Sequence, residues 1–189
     1  MRVIAGQFRS RPLRSLRGMD IRPTADRLRE TLFNVLCAGN PEALSGTVWL
    51  DLYAGTGAVG IEALSRSAGM VYFVEMSKSA ADLIAGNLKS LGITSGFKIV
   101  KADAPKALTQ LGSQGIVADF IFLDPPYGMR EEYARTLNAL VESKLLHAET
   151  AIIAEHEKRF DPGEVFGGLH RERKLEQGDA ALSFYRSRK

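Results

Sequence analysis

The segment Asp124-Pro125-Pro126-Tyr127 combines residue types that could bind a planar amine, and it directly follows the apolar run "ADFIFL". Proline cannot extend a central strand, so a strand should end here, and its fixed φ orients the Pro125 carbonyl. The Asp124 carboxylate and this carbonyl are both acceptors. Together they could bind the two N–H groups of an amine conjugated to a ring and so favour its attack on an electrophile. Tyr127 could stack on the ring.

The same segment also suits an ordinary turn, because Asp, Pro and the following Gly128 are common turn residues. A turn explains the two prolines. It does not explain why the segment lies at the end of the fourth candidate strand, after three strand ends that also carry acids.

A glycine-rich loop, "DLYAGTGAVG", follows the first candidate strand. Gly55 and Gly57 let the backbone approach a ligand closely, and the start of the next helix offers free N–H groups. Gly60 completes a Gly-x-Gly-x-x-Gly pattern, which is weak evidence alone. A nicotinamide dinucleotide site fits it too, because Glu75 lies twenty residues beyond Gly55, where a ribose-binding acid is expected.

Acids at successive strand ends favour a different ligand. Asp51, Glu75 and Asp103 stand at the first three strand ends, and ligands of parallel sheets bind beyond the carboxyl ends of the strands. Carboxylates there could hold an ammonium, a ribose diol and an adenine amino group, and S-adenosylmethionine carries all three. Asp103 alone could equally cap the helix that follows it.

Apolar runs predict the elements that position these residues. Strands are expected at 47–53, 70–76, 97–103, 118–124 and 150–156, with helices near 58–68, 77–91, 104–111 and 131–143 between them. Near-continuous apolar strands that alternate with helices predict a parallel sheet covered on both faces. The C-terminal segment instead suggests two strands joined at the turn "QGD".

The first thirty residues are strongly basic, with eight arginines against three acids. The preference for arginine over lysine suggests recognition of phosphates, although a basic surface arm without such a role is the alternative. "RVIAGQF" and "PLRSL" could form a hairpin within this arm, residues 1–22. A helix should follow, with Thr24 as its N-cap and Gly39 after its end.

Composition predicts a single domain spanning residues 1–189. The length suits one domain, and the 45% hydrophobic and 25% charged fractions are typical of soluble globular proteins. Cys37 is the only cysteine, and no segment reaches the apolar length of a signal peptide or membrane span. We therefore expect a cytoplasmic protein that does not contact a membrane.

The glycine loop and the later acids resemble class I S-adenosylmethionine-dependent methyltransferases, and "DPPY" resembles the signature of those that methylate amino groups. "MRVIAGQFRSRPL", "IRPTADRLRETLFNVL", "LDLYAGTGAVGIEALSR", "VEMSKSA" and "FLDPPY" together resemble the bacterial RsmD-type family, which methylates guanine N2 in small-subunit ribosomal RNA. The resemblance is good over residues 1–127. It implies a monomer with a Rossmann-like α/β fold, a mostly parallel seven-stranded sheet, an antiparallel C-terminal strand and an N-terminal hairpin.

The resemblance also implies roles for particular residues. The cofactor site would comprise Asp51, Tyr53, Gly55, Thr56, Gly57, Glu75, Met76, Asp103 and Ala104. The guanine would be held by Asp124, Pro125, Pro126 and Tyr127. Ribosomal RNA, free or in an assembled small-subunit particle, would be bound by Arg9, Arg11, Arg22, Thr24 and Arg27. Arg22 and Thr24 could instead be structural, as a surface ion pair and a helix cap.

Two other functions are compatible with the same sequence. One is methylation of another amino group, either adenine N6 in DNA or glutamine N5 in protein. The other is a non-catalytic RNA-binding module on the same fold, against which the complete glycine loop and "DPPY" segment argue. "EHE" at 155–157 lacks a matching set of ligands, so no metal is expected.

Overall fold

The computed structural model describes residues 1–15, 23–126 and 128–187. Within them the chain forms five helices and eight strands. The helices are α1 (Pro23–Leu36), α2 (Ala58–Ser65), α3 (Lys78–Leu91), α4 (Ala104–Ser113) and α5 (Glu131–Glu142). The strands are β1 (Val48–Leu52), β2 (Met70–Val74), β3 (Phe97–Val100), β4 (Ala118–Leu123), β5 (Leu146–Glu157), β6 (Val165–Phe166), β7 (Leu169–Gln177) and β8 (Ala180–Ser187).

All eight strands belong to one sheet with the order β3-β2-β1-β4-β5-β8-β7-β6. The first five in this order are parallel, and the last three are antiparallel. The predicted α/β class with a mostly parallel sheet is confirmed, but the expected count of seven strands is one too low. The extra strand is β6, a two-residue edge strand too short to leave a pattern in the sequence.

Helices cover the two faces of the parallel part, as the apolar strands predict. On one face, Trp49, Phe73 and Phe122 pack with residues of α1, α2 and α3. On the other face, Leu52 and Leu123 pack with α4 and α5. Strand ends of β1, β2 and β4 therefore meet at one edge of the sheet, with a separate helical layer on each side.

The predicted elements are all present, with shifted ends. β3 stops at Val100 because this edge strand pairs with β2 alone, whereas β5 extends over twelve residues between β4 and β8. Helix α1 starts at Pro23, a residue that suits the first helical position. Thr24 thus lies inside the first turn, and its predicted role as N-cap is wrong. Arg22 and Tyr127 lie outside the described residues.

The N-terminal arm, residues 1–15 in the described part, forms the predicted short hairpin. An antiparallel bridge joins Arg2 and Pro12, and the Val3 N–H donates to the Arg11 carbonyl at 3.0 Å. The buried Glu62 carboxylate of α2 accepts two further main-chain N–H groups of the arm, those of Ile4 and Ala5, at 2.7 and 3.0 Å. The arm is therefore held both by its own backbone pairing and by the domain surface. Among the described helices, none has the length and apolar character needed to cross a membrane.

Candidate active site

The loop between β1 and α2 contains two glycines with positive φ, and each is needed for a different reason. Gly55 has φ 55°, and a Cβ there would project into open space apart from a contact of 3.9 Å with the Tyr53 carbonyl. Gly57 has φ 76°, and a Cβ there would press on Ile84 and Phe73 at 3.2–3.3 Å. Gly55 therefore keeps the loop backbone open to a ligand, whereas Gly57 lets the helix pack closely on the sheet.

Asp51 lies beneath this loop and is only 2% exposed. One carboxylate oxygen, Oδ2, accepts a hydrogen bond from the Gly60 N–H at 2.9 Å, which ties β1 to the first turn of α2. Desolvation raises the pKa of Asp51 to about 8; the Gly60 hydrogen bond opposes the shift, and the charges of Asp124 and Glu75 add to it. Asp51 thus supports the loop from below and is close enough to two other site acids to interact with both.

Glu75, directly after β2, binds the loop from its side. Its Oε2 accepts the Gly55 N–H at 2.9 Å, and its Oε1 accepts the Ser77 N–H at 2.8 Å. Each carboxylate oxygen retains a second lone pair, so the half-buried group can still accept hydroxyl donors such as those of a ribose. The next residue, Met76, is 72% exposed and offers an apolar surface at the same edge.

Asp103 has a different environment from the other site acids. It caps α4 by accepting the Lys106 N–H at 3.0 Å, and its Oδ2 accepts from Arg135 Nη2 at 3.1 Å. Desolvation raises the pKa of Asp103, but these two hydrogen bonds outweigh it, so the pKa lies below its usual value. The helix-cap interpretation is therefore correct, and Ala104 behind it is buried at 2% exposure.

Residues of α5 complete this part of the site, and sequence reasoning missed them. The Tyr53 hydroxyl donates to Glu132 Oε2 at 2.9 Å and lies 2.7 Å from Thr136 Oγ1. Glu132 also pairs with Arg135 at 3.0 Å, and Arg135 reaches Asp103. Burial raises the pKa of Tyr53. This network fixes Tyr53, a non-glycine residue with φ 61°, through its hydroxyl.

Asp124 lies one residue beyond β4 with an exposed side chain, and none of the described residues donates a hydrogen bond to its carboxylate. Desolvation by the surrounding protein raises the pKa of Asp124 to about 7, although the access of water to this exposed group limits the shift. Pro125 is buried and Pro126 is exposed. The segment thus presents a free acceptor at the same sheet edge as the loop.

Glu155 is a further acid at this edge that sequence reasoning did not assign. It follows Ala154 of β5, which pairs with Leu123 of β4, so it stands beside Asp124. Desolvation raises the pKa of Glu155 well above its usual value, with a further contribution from the charge of Asp124. The structure therefore groups Asp51, Glu75, Asp124 and Glu155, while Asp103 pairs with Arg135.

The N-terminal arm lies next to the glycine loop. Asn87 of α3 is fully buried; its Oδ1 accepts the Arg14 N–H at 2.9 Å, and its Nδ2 donates to the carbonyls of Arg14 and Thr56, at 3.1 and 3.0 Å. The Thr56 hydroxyl also contacts the Met1 sulfur at 3.5 Å. A single buried amide thus joins the arm to the loop.

Four arginines of the arm are exposed, and residues 1–15 contain no acid. These arginines are Arg2, Arg9, Arg11 and Arg14. Arg11 donates to the Ser90 carbonyl at 3.1 Å, which leaves part of its guanidinium free. Arg27 is exposed on α1, whereas the side chain of Thr24 lies outside the described part. The arm therefore forms a basic surface beside the glycine loop.

Comparison with known proteins agrees with this architecture. The sequence profile of the family described as "Conserved hypothetical protein 95" matches residues 1–186. Bacillus subtilis YlbH is 34% identical over 189 residues and covers 100% of both chains. Escherichia coli Ribosomal RNA small subunit methyltransferase D is 36% identical over 159 residues, which make up 83% of this chain and 75% of that protein.

The fold is also close to a solved structure. Escherichia coli YhhF superposes with a TM-score of 0.84 at 30% identity, covering 100% of this chain and 99% of that one. Both the sequence match and the structural match extend across the glycine loop and the "DPPY" segment. The chain therefore belongs to the family of ribosomal RNA small subunit methyltransferase D, the RsmD family.

Proposed function

We propose that this protein methylates the exocyclic N2 amino group of a guanine in small-subunit ribosomal RNA, with S-adenosylmethionine as the methyl donor. The observation that carries the proposal is the exposed Asp124 carboxylate, which projects at the end of β4 and interacts electrostatically with Asp51 under the glycine loop. An acceptor for an amine thus stands beside a loop suited to the donor. The same proposal treats residues 1–189 as one domain that acts as a monomer in the cytoplasm.

The residues around the loop fit this cofactor. Gly55 leaves backbone space, and Glu75 retains free lone pairs on both carboxylate oxygens for a ribose diol. Met76 offers apolar surface to a purine ring. Asp103 has both oxygens engaged by Lys106 and Arg135, so it would hold the adenine amino group only through a remaining lone pair. When bound, the cofactor supplies an electrophilic methyl group on a sulfonium centre.

The chain's own contribution to the reaction is positioning. Guanine N2 is conjugated to its ring and is a poor nucleophile, so it reacts only if held at the electrophile. Asp124 and the Pro125 carbonyl would accept its two N–H groups and offset the positive charge that develops on nitrogen. The proton lost afterwards can pass to Asp124 or to water. Tyr127, outside the described residues, is proposed to stack on the extruded base.

The proposal is tested by product analysis. The protein is incubated with labelled S-adenosylmethionine and small-subunit particles from cells that lack the native enzyme, and in parallel with the corresponding naked RNA. We expect label in N2-methylguanosine after digestion to nucleosides. Label in N6-methyladenosine, or no label with either substrate, would contradict the proposal.

The arm provides a second test, because its arginines are proposed to bind RNA phosphates. Replacing Arg9 and Arg11 by alanine should weaken RNA binding and reduce the slope of log K against log salt by about 2, since about one counterion is released per phosphate contact. The measurement is a salt titration of RNA affinity. A double replacement of Lys144 and Arg173, exposed residues outside the arm, is the charge-matched control. An unchanged slope in the arm variant would exclude this role for the arm.

A further inference from the structure

Glu155 and Asp124 occupy adjacent positions near the carboxyl ends of two neighbouring parallel strands, β5 and β4. Leu123 of β4 pairs with Ala154 of β5, and each acid is the next residue along its chain. Neighbouring strands lie about 5 Å apart, so the two backbones present their acids side by side. Asp124 contributes to the electrostatic environment of Glu155, which confirms their proximity.

The two side chains also point to the same face of the sheet. Side chains two residues apart on a strand share a face. Phe122 and Ile153, two residues before the acids, both belong to the core cluster shared with α1, α2 and α3. Asp51 is the register partner of Phe122 and belongs to this face as well. Glu155 thus lies on the same face of the sheet as the proposed amine acceptor, Asp124.

The Glu155 carboxylate is half-buried but is not used by the fold. Among the described residues, none donates a hydrogen bond to it; the hydroxyl of Tyr133 donates instead to the Glu155 main-chain carbonyl at 2.8 Å. Arg29 stabilises its charge from a distance, but the guanidinium donates to the Arg2 carbonyl at 2.6 Å and to Asp26 at 3.1 Å. Glu155 is therefore a half-buried acid with unused acceptors next to the proposed substrate position, and the contacts of the fold do not explain its presence there.

The chemistry of purine edges supplies one. Guanine presents N1–H and N2–H₂ side by side, which are adjacent donors. Adenine presents its N6–H₂ group next to N1, which is an acceptor and would be repelled by a carboxylate. Flipped bases are read through hydrogen bonds to this edge. The charge of Arg29 favours the ionised form of Glu155, and in that form the two neighbouring carboxylates are acceptors only, which match guanine and reject adenine.

We propose that Glu155 is a specificity-determining residue that accepts the N1–H of the target guanine while Asp124 accepts its N2 amino group. This inference rests on the proposed function, because it assigns a second contact to the same base. The N1–H donor would lie near both carboxyl groups and offset their mutual repulsion. Adenine at the same position would lose this contact and leave an acceptor facing an acceptor.

The test compares guanine with 2,6-diaminopurine, which keeps the N2 amino group but has an acceptor at N1. Small-subunit RNA carrying either base at the modified position is methylated in competition by the wild-type protein and by Glu155→Gln. The wild-type protein should strongly prefer guanine. The amide of the variant can either donate or accept, so its preference should fall about tenfold, the discrimination expected of one base contact.

Glu149→Gln is the matched control, since Glu149 lies at the other end of β5 with a side chain 82% exposed; it should keep the wild-type preference. Glu155→Asp, which retains the acceptor, should also keep it at a lower rate. An unchanged preference in Glu155→Gln overturns the inference and leaves the proposed function intact. If Glu155→Gln has no activity on either base, the aspartate variant decides: loss of preference there overturns the inference. A wild-type product other than N2-methylguanosine overturns the proposed function itself.

Discussion

Replacing Asp124 by alanine is expected to lower the rate of methyl transfer about a thousandfold, comparable to removing a key electrostatic contact in other active sites. The carboxylate is proposed to hold the amine and to offset the charge that develops on it. Cofactor affinity should change little, because Gly55 and Glu75 rather than Asp124 line the loop. Single-turnover kinetics measures the first effect, and calorimetry with S-adenosylmethionine measures the second.

The pH dependence of the wild-type protein should report the same group. Desolvation raises the pKa of Asp124 above its usual value, with access of water limiting the shift, so the acceptor is progressively protonated as the pH falls below this raised pKa. The single-turnover rate should then fall about tenfold for each pH unit below the pKa. Asp124→Asn, which cannot ionise, should show a low rate without this acid limb.

Asp179→Ala is a suitable control, because Asp179 is an exposed acid in the turn between β7 and β8, separated from β4 by the strands β5 and β8. It should retain the wild-type rate and pH profile. Unchanged turnover in Asp124→Ala would contradict the proposed role of this residue. Loss of cofactor binding in the same variant would instead show that Asp124 belongs to the cofactor site.

Replacing Glu62 by alanine is expected to lower the free energy of unfolding by about 3 kcal/mol, the range for breaking a buried, hydrogen-bonded charge. Glu62 is fully buried and accepts from Ile4, Ala5 and the Arg66 Nε, the last at 2.9 Å. Its loss leaves two main-chain N–H groups of the arm without acceptors. Urea denaturation measures the effect, and limited proteolysis shows whether the arm has left the surface.

The same variant should bind RNA more weakly, because the arginines of the arm would no longer be held beside the glycine loop. Glu142→Ala, at an exposed position of α5, controls for the loss of a helical glutamate and should change stability by less than about 0.5 kcal/mol. Equal losses in the two variants would contradict the anchoring role of Glu62. Full RNA affinity in a destabilised Glu62→Ala would separate stability from binding and exclude an RNA-binding role for the docked arm.

Much of the fold could be predicted because its signals are local. Most parallel strands are dominated by apolar residues, and an acid lies at or within three residues of the carboxyl end of each, so the elements and the edge that carries the site follow from the sequence. The arginine-rich arm was also evident from composition. Its hairpin was predicted as well, but its attachment to α2 was not, because the acceptor that anchors it is Glu62, more than fifty residues away.

The unpredicted parts of the site depend on similar distant contacts. Arg135 reaches Asp103 from α5, and nothing in the residues near Asp103 indicates this partner. The position of Glu155 beside Asp124 follows only from the register of β5 against β4. Gly57 was expected to make room for a ligand, but it makes room for Phe73 and Ile84, a requirement of helix packing that a glycine motif alone does not distinguish.

The buried amide of Asn87 has a consequence for how two ligands influence each other. It holds the main chain at Arg14 and at Thr56 at once, so neither segment can shift without withdrawing a hydrogen bond from a group that water cannot reach. Under the proposed roles of the arm and the loop, RNA that orders one segment is expected to order the other. By thermodynamic linkage, the cofactor would then raise the affinity for RNA by the same factor as RNA raises the affinity for the cofactor.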